Sequence, residues 1–155
     1  MPVKSRRELE LMRESCRIVA EVLTLIGTQV RAGVSTRELD VMAEEYIRSQ
    51  GGEPAFKGYG ADRQNRFPAT LCISIDDVVV HGIPDGRRLE EGQVVSVDVG
   101  VKKHGWFGDA ARTFPVGPTT EEKARLLRVT EESLAAEADL PVDVAYHGAR
   151  RRIAR

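Results

Sequence analysis

Residues 94–114, VVSVDVGVKKHGWFGDAARTF, constrain the fold more than any other part of the chain. Val95, Val97, Val99 and Val101 alternate with Ser96 and Asp98, so a strand here has one wholly apolar face. Such a face must be covered by another element. Residues 102–105, KKHG, read as the turn of an antiparallel hairpin, with a return strand over 106–114. In that register 101 faces 106 and Asp98 stands directly opposite Asp109. Facing Cβ atoms lie about 4.5–5.5 Å apart, and like charges there destabilise the pair. Protonation of one acid or a cation between them removes the conflict. Divalent ions suited to carboxylates with some imidazole include Mn²⁺, Fe²⁺, Co²⁺ and Zn²⁺. Gly100 and Gly108 leave room beside the acids. Spacing alone equally allows two aspartates that face water, and a one-residue change of register would separate them.

The other segments supply the cover. Residues 5–32 read as a long amphipathic helix with Leu9, Met12, Cys16, Val19, Leu23, Ile26 and Val30 inward, and Gly33 as its stop. Ser35 and Glu38 have capping-box spacing and open a second helix carrying Leu39, Met42, Ala43, Tyr46 and Ile47 inward. GGEP at 51–54 ends it, and 55–68 read as a loop. The strand-like runs 69–75 and 78–83 flank two aspartates and read as a hairpin or tight strand connection. Thr119 and Glu122 repeat the capping-box spacing before a helix of about residues 120–136. Two helices, a β section and a helix define an α+β class, an antiparallel sheet covered by helices.

The remaining signals are mostly exclusions. A net charge of −1 gives no global attraction to nucleic acid or anionic membranes. No run reaches the roughly 18 apolar residues of a membrane span, and the charged start lacks a signal peptide's apolar core. Cys16 and Cys72 read as buried free thiols. His81, before a turn, suits metal or substrate binding, or simply a strand-end hydrogen bond to backbone. His104 falls in the turn and is expected to be solvated; His147 is given no role. Trp106 and Phe107 read as core or pocket wall. The segment 138–155, with four arginines in its last six residues, matches no continuation of the domain and reads as a solvated end.

CISIDDVVVHGIPDG followed by VVSVDVGVKKHGWFGDAARTF resembles the first half of bacterial type I methionine aminopeptidases. The resemblance covers about residues 1–137, including the segment around GY and FPATLCIS and the helix TTEEKARLLRVTEESLAA. It implies half of a pita-bread fold, two pseudo-symmetric α+β halves around a dinuclear metal site. It implies removal of the initiator methionine from nascent chains in the cytoplasm, with two divalent ions (Co, Mn, Fe or Zn) activating water. Asp98 and Asp109 match the family's aspartate metal ligands. His81 matches the catalytic histidine that binds and orients substrate, and Cys72, Tyr59 and Phe67 fall in the segment that forms the methionine pocket. The implied partners are the N-terminal methionine of a nascent peptide and the ribosome, with no nucleic acid or membrane.

The chain departs from the family in two places. The stretch GADRQNR between Tyr59 and Phe67 is longer than the family's usual loop. The family's second half, with its ligand histidine and two ligand glutamates, has no counterpart here. The expectation is a truncated or frameshifted chain, with residues 138–155 out of frame or disordered. Weak metal binding, little activity alone and self-association through an uncovered half-core should follow. Two alternatives are a non-catalytic half that serves as a binding or dimerisation module and a proline peptidase of the same fold. A nucleic-acid-binding protein built around the arginine-rich tail is a further one.

Overall fold

The computed structural model describes residues 4–60 and 65–138. The expectations for 138–155 and His147 lie outside them, apart from the helical backbone at Ala138, as does the middle of the long loop. The described residues fall into two compact units, divided between Thr119 and Thr120.

In the first unit two helices precede and cover an antiparallel sheet. Helix α1 spans Arg6–Gln29, opened by a capping box in which Ser5 and Glu8 exchange hydrogen bonds. Helix α2 spans Thr36–Ser49, with Ser35 and Glu38 in the same arrangement. The sheet holds β1 (Glu53–Pro54), β2 (Leu71–Ile75), β3 (Val94–Lys103) and β4 (Trp106–Pro115). Strand β3 is central: β1 and β2 share one of its edges and β4 runs along the other.

Alternation in β3 works as the sequence predicts. Val95, Val97, Val99 and Val101 are fully buried beneath the helices, with Ile18, Val22 and Ile26 of α1 and Leu39, Ala43 and Ile47 of α2. Each large aliphatic side chain buried this way contributes roughly 1.5–3 kcal/mol. Helix α1 comes very close to β4: a Cβ on Gly108 would sit 2.7 Å from the backbone of Ser15 and Cys16. Ser15 is fully buried, and its hydroxyl donates to the Trp106 carbonyl at 2.9 Å.

Several expectations are corrected. Helix α1 ends at Gln29, well before Gly33. Its buried stripe runs through Ser15, Ile18, Val19, Val22, Leu23 and Ile26, which leaves Cys16 exposed and Leu9 at 40% exposure. The stripe is rotated because the helix packs with its backbone against a glycine at Gly108, where small Ser15 fits. Residues 78–83 form no strand. Asp76 and His81 adopt φ of 50° and 58°, which breaks extended backbone. The single ladder-like bond there is Ile73 N–H to the Gly82 carbonyl at 2.8 Å, while the Gly82 N–H donates to the Ser74 hydroxyl.

The second unit contains helix α3, Glu121–Ala138. It starts one residue later than the Thr119–Glu122 box requires: the Thr120 hydroxyl accepts the Lys123 N–H at 3.3 Å. No helix among the described residues is long and apolar enough to cross a membrane.

Candidate metal centre

The two aspartates share a face, in a register different from the expected one. The β3–β4 turn has two residues, His104 and Gly105, both at positive φ (51° and 81°), as a tight hairpin turn demands. Lys103 therefore pairs with Trp106, Gly100 with Asp109 and Asp98 with Ala111. Asp98 and Asp109 are diagonal neighbours, not directly opposite. A displacement of two residues preserves the side-chain face. A diagonal pair lies within reach of side chains, and Asp109 stands close enough to act on the Asp98 carboxyl.

The surroundings hold Asp98 in tension. Burial pushes its carboxyl above the usual carboxylate range, and the charge of Asp109 pushes the same way. His81 and the Val99 N–H pull in the opposite direction. Asp98 is half-buried, whereas Asp109 is exposed. Cys72 is the direct cross-strand partner of Asp98. Its thiol is pushed up to about 11, first by burial and then by the nearby charges of Asp98, Asp109 and Asp40. Cys72 is thus a neutral, apolar side chain near pH 7, as a pocket wall requires.

His81 lies close enough to Asp98 to act on its charge, although it stands on an irregular segment and not at the end of a strand. The segment is held to the outer edge of β2 through Gly82, where a Cβ would collide with the Ile73 carbonyl oxygen. Tyr59 and Phe67 are brought together by backbone: the Phe67 N–H donates to the Tyr59 carbonyl, and the Gly58 N–H to the Phe67 carbonyl. Tyr59 is 77% exposed and Phe67 partly buried. The aromatic that reaches the acid-bearing face is Phe56, whose ring would meet a Cβ on Gly100 at 2.5 Å. Sequence reasoning missed it because β1, which brings Phe56 there, is only two residues long. The Ala55 N–H continues that pairing to the Gly100 carbonyl. His104 is exposed, 3.4 Å from Glu14 and remote in role from the acids. Trp106 is partly buried and Phe107 is 57% exposed, on the same strand face as Asp109.

This donor set fits part of a divalent-ion site. Two neighbouring carboxylates on one strand face, one of them disfavouring charge, gain from a cation between them. Among the described residues no cluster of three or more His, Cys, Asp or Glu is placed to hold an ion.

Two helices thus cover one face of an antiparallel sheet, and Asp98 and Asp109 share its other face. Residues 10–145 match the profile of metallopeptidase family M24, and the chain belongs to that family. Within it the similarity is to methionine aminopeptidases. The Clostridium perfringens methionine aminopeptidase is 47% identical over 132 residues, which cover 84% of this chain and 51% of that protein. The crystal structure of the Thermotoga maritima methionine aminopeptidase superposes with a TM-score of 0.86 at 33% identity, covering 91% of this chain and 55% of that one. The prolidase from Pyrococcus furiosus shares the fold alone, at a TM-score of 0.70 and 20% identity, with 84% of this chain and 36% of that one covered. The chain spans about half the length of the curated relatives it matches. Divalent-metal use is a property of the family.

Proposed function

We propose that this chain carries the Asp98–Asp109 side of a metal-dependent aminopeptidase centre that acts on N-terminal methionine. The observation that supports this reading is the placement of Asp98 and Asp109 as diagonal neighbours on one strand face, with burial and the charge of Asp109 opposing ionisation of Asp98. Asp98 and Asp109 would hold the ions, with Mn²⁺, Co²⁺, Fe²⁺ or Zn²⁺ as the candidates. Bound there, divalent ions supply Lewis acidity towards a scissile carbonyl and lower the pKa of water.

The chain's own residues divide the remaining work. His81, beside Asp98, orients the substrate peptide by hydrogen bonding. Cys72, neutral at pH 7, and the rings of Tyr59 and Phe67 supply polarisable surface for a thioether side chain. Among superposed structures, 33% identity to the Thermotoga maritima methionine aminopeptidase against 20% to a prolidase supports methionine over proline peptides.

The test is methionine release from a Met-Ala-Ser peptide by the purified chain with Co²⁺ or Mn²⁺, beside Asp98→Ala and with metal affinity measured by calorimetry. Release and metal binding that both vanish in Asp98→Ala support the reading. Metal binding that survives the substitution unchanged overturns it. Metal binding lost without any wild-type release favours a second reading, a non-catalytic binding or dimerisation module. The exposed apolar run of Val78, Val79, Val80 and Ile83 supports that alternative.

A further inference from the structure

Helix α2 presents two acids one turn apart, Asp40 and Glu44, that neither pack in the core nor belong to the metal pair. One Asp40 oxygen accepts both the Thr70 N–H at 2.9 Å and the Leu71 N–H at 2.7 Å. These amides open β2, and the next residue is Cys72, the cross-strand partner of Asp98. One Glu44 oxygen accepts from the Lys57 ammonium at 2.6 Å and from the Thr70 hydroxyl at 3.3 Å. The other Glu44 oxygen is held by the Arg48 guanidinium at 3.0 and 2.8 Å. Thr70 is fully buried.

A single helix turn therefore grips both ends of the segment that carries Phe56, Tyr59 and Phe67. Lys57 anchors the outgoing end and Thr70–Leu71 the returning end, and the backbone bonds between Gly58, Tyr59 and Phe67 close the span between them. The arrangement is costly to maintain. Burial pushes the Asp40 carboxyl up against the pull of its two amide partners and Lys57. A half-buried acceptor with two short amide bonds is directional, and its loss would leave the Thr70 and Leu71 N–H groups without this partner.

We propose that Asp40 and Glu44 are positioning residues, a clamp that fixes the aromatic segment against β2 and so sets the gap between its rings and the Cys72–Asp98 pair. The proposal rests on the functional reading above, in which that gap receives the methionine side chain. The clamp touches neither Asp98 nor Asp109 among the contacts described, so it governs side-chain binding and not ion binding.

The experiment uses the full chain in a Cys16→Ser background. Cys72 alkylation by iodoacetamide reports the seating of β2, and calorimetry reports the affinities for Mn²⁺ and for methioninamide. Asp40→Ala is expected to speed Cys72 alkylation about tenfold or more, as local opening would. It should weaken methioninamide by about tenfold while Mn²⁺ affinity stays at the wild-type value. Asp40→Asn keeps an acceptor oxygen, so it should restore methioninamide affinity. Like Asp40→Ala, it removes a charge that, after burial, helps raise the Cys72 thiol. The alkylation rate of Asp40→Ala in excess of Asp40→Asn therefore measures the loosened seating. Should Asp40→Ala fail to fold, Lys57→Met cuts only the outer anchor. It is expected to weaken methioninamide several-fold with the melting temperature unchanged. Wild-type alkylation and methioninamide affinity in Asp40→Ala, or parallel loss of Mn²⁺ affinity, would overturn the clamp. A wild-type chain that binds no methioninamide defeats the functional reading, and the alkylation rates then decide the clamp by themselves.

Discussion

At the scale of single residues, the Asp98 carboxyl contributes a pH dependence to the stability of the metal-free protein. Its folded-state value lies above the usual carboxylate range, so folding favours the protonated form. That contribution is fully present in acid, below the ordinary value, and is lost as pH rises through the folded value. Above it, the ionised Asp98–Asp109 pair opposes folding. Asp98→Asn should therefore raise the urea midpoint of the metal-free protein at pH 7 and change it little at pH 3.5. A divalent ion should reverse the order, because it binds the wild-type pair and stabilises the folded state by mass action. Urea titrations at both pH values, with and without Mn²⁺, check both signs; an unchanged midpoint at pH 7 would contradict the assigned repulsion. Side-chain face was legible here from alternation alone, since β3 keeps a period of two throughout. Direct opposition was not. The register depends on how many residues the turn consumes, and His104 adopting positive φ beside Gly105 shortened it from four residues to two. Cys16 was misjudged for a related reason: a helical stripe read from spacing has an uncertain rotation. The deciding contact, backbone against Gly108, is invisible in the apolar pattern.

Among elements, the hairpin and α1 are coupled through that contact. A Cβ on Gly108 would lie 2.7 Å from the Ser15 carbonyl carbon and the Cys16 nitrogen, both backbone atoms that cannot swing aside. Gly108→Ala should cost about 1–3 kcal/mol as α1 and β4 move apart. Asp109 is the next residue in β4, so weaker Mn²⁺ binding should accompany the loss of stability. Ser15→Ala is the informative comparison: it removes the bond to the Trp106 carbonyl but adds no atoms. It should cost about 1 kcal/mol and leave metal affinity near wild type. Thermal unfolding and Mn²⁺ titration of both variants measure this, and equal metal affinities would separate the packing contact from the position of Asp109. The two capped helices and the long strands were legible because capping boxes and hydrophobic periods are local signals. Strand β1 and the non-strand 78–83 were not. Two residues carry no period, and positive φ at a histidine is imposed by surroundings, not by residue type.

For the molecule as a whole, the distribution of exposed apolar surface carries a prediction about association. Within one short stretch Val78, Val79, Val80 and Ile83 are 39%, 86%, 62% and 58% exposed. Isolated exposed aliphatics are ordinary, but four within six positions concentrate exposed apolar surface on one short segment, and such concentrations mark interfaces or association. Among the described residues, the hydrogen bonds that tie the stretch to β2 are those of Gly82 and of the turn at Val78, whose N–H donates to the Ile75 carbonyl. Its apolar side chains are thus presented outward by a few backbone bonds. Net charge of −1 offers little long-range repulsion between copies. The chain should therefore self-associate reversibly, with a weight-average mass that rises with concentration in sedimentation velocity. Val79→Ser with Val80→Ser should shift it towards monomer while leaving far-UV circular dichroism and the melting temperature almost unchanged, because neither side chain belongs to the core. Added salt separates the apolar cause from charge: an apolar contact persists or tightens in sulfate, whereas an ionic one weakens. A wild-type chain that stays monomeric at high concentration would show that these valines tolerate water. Association that survives the double substitution would place the contact elsewhere on the surface.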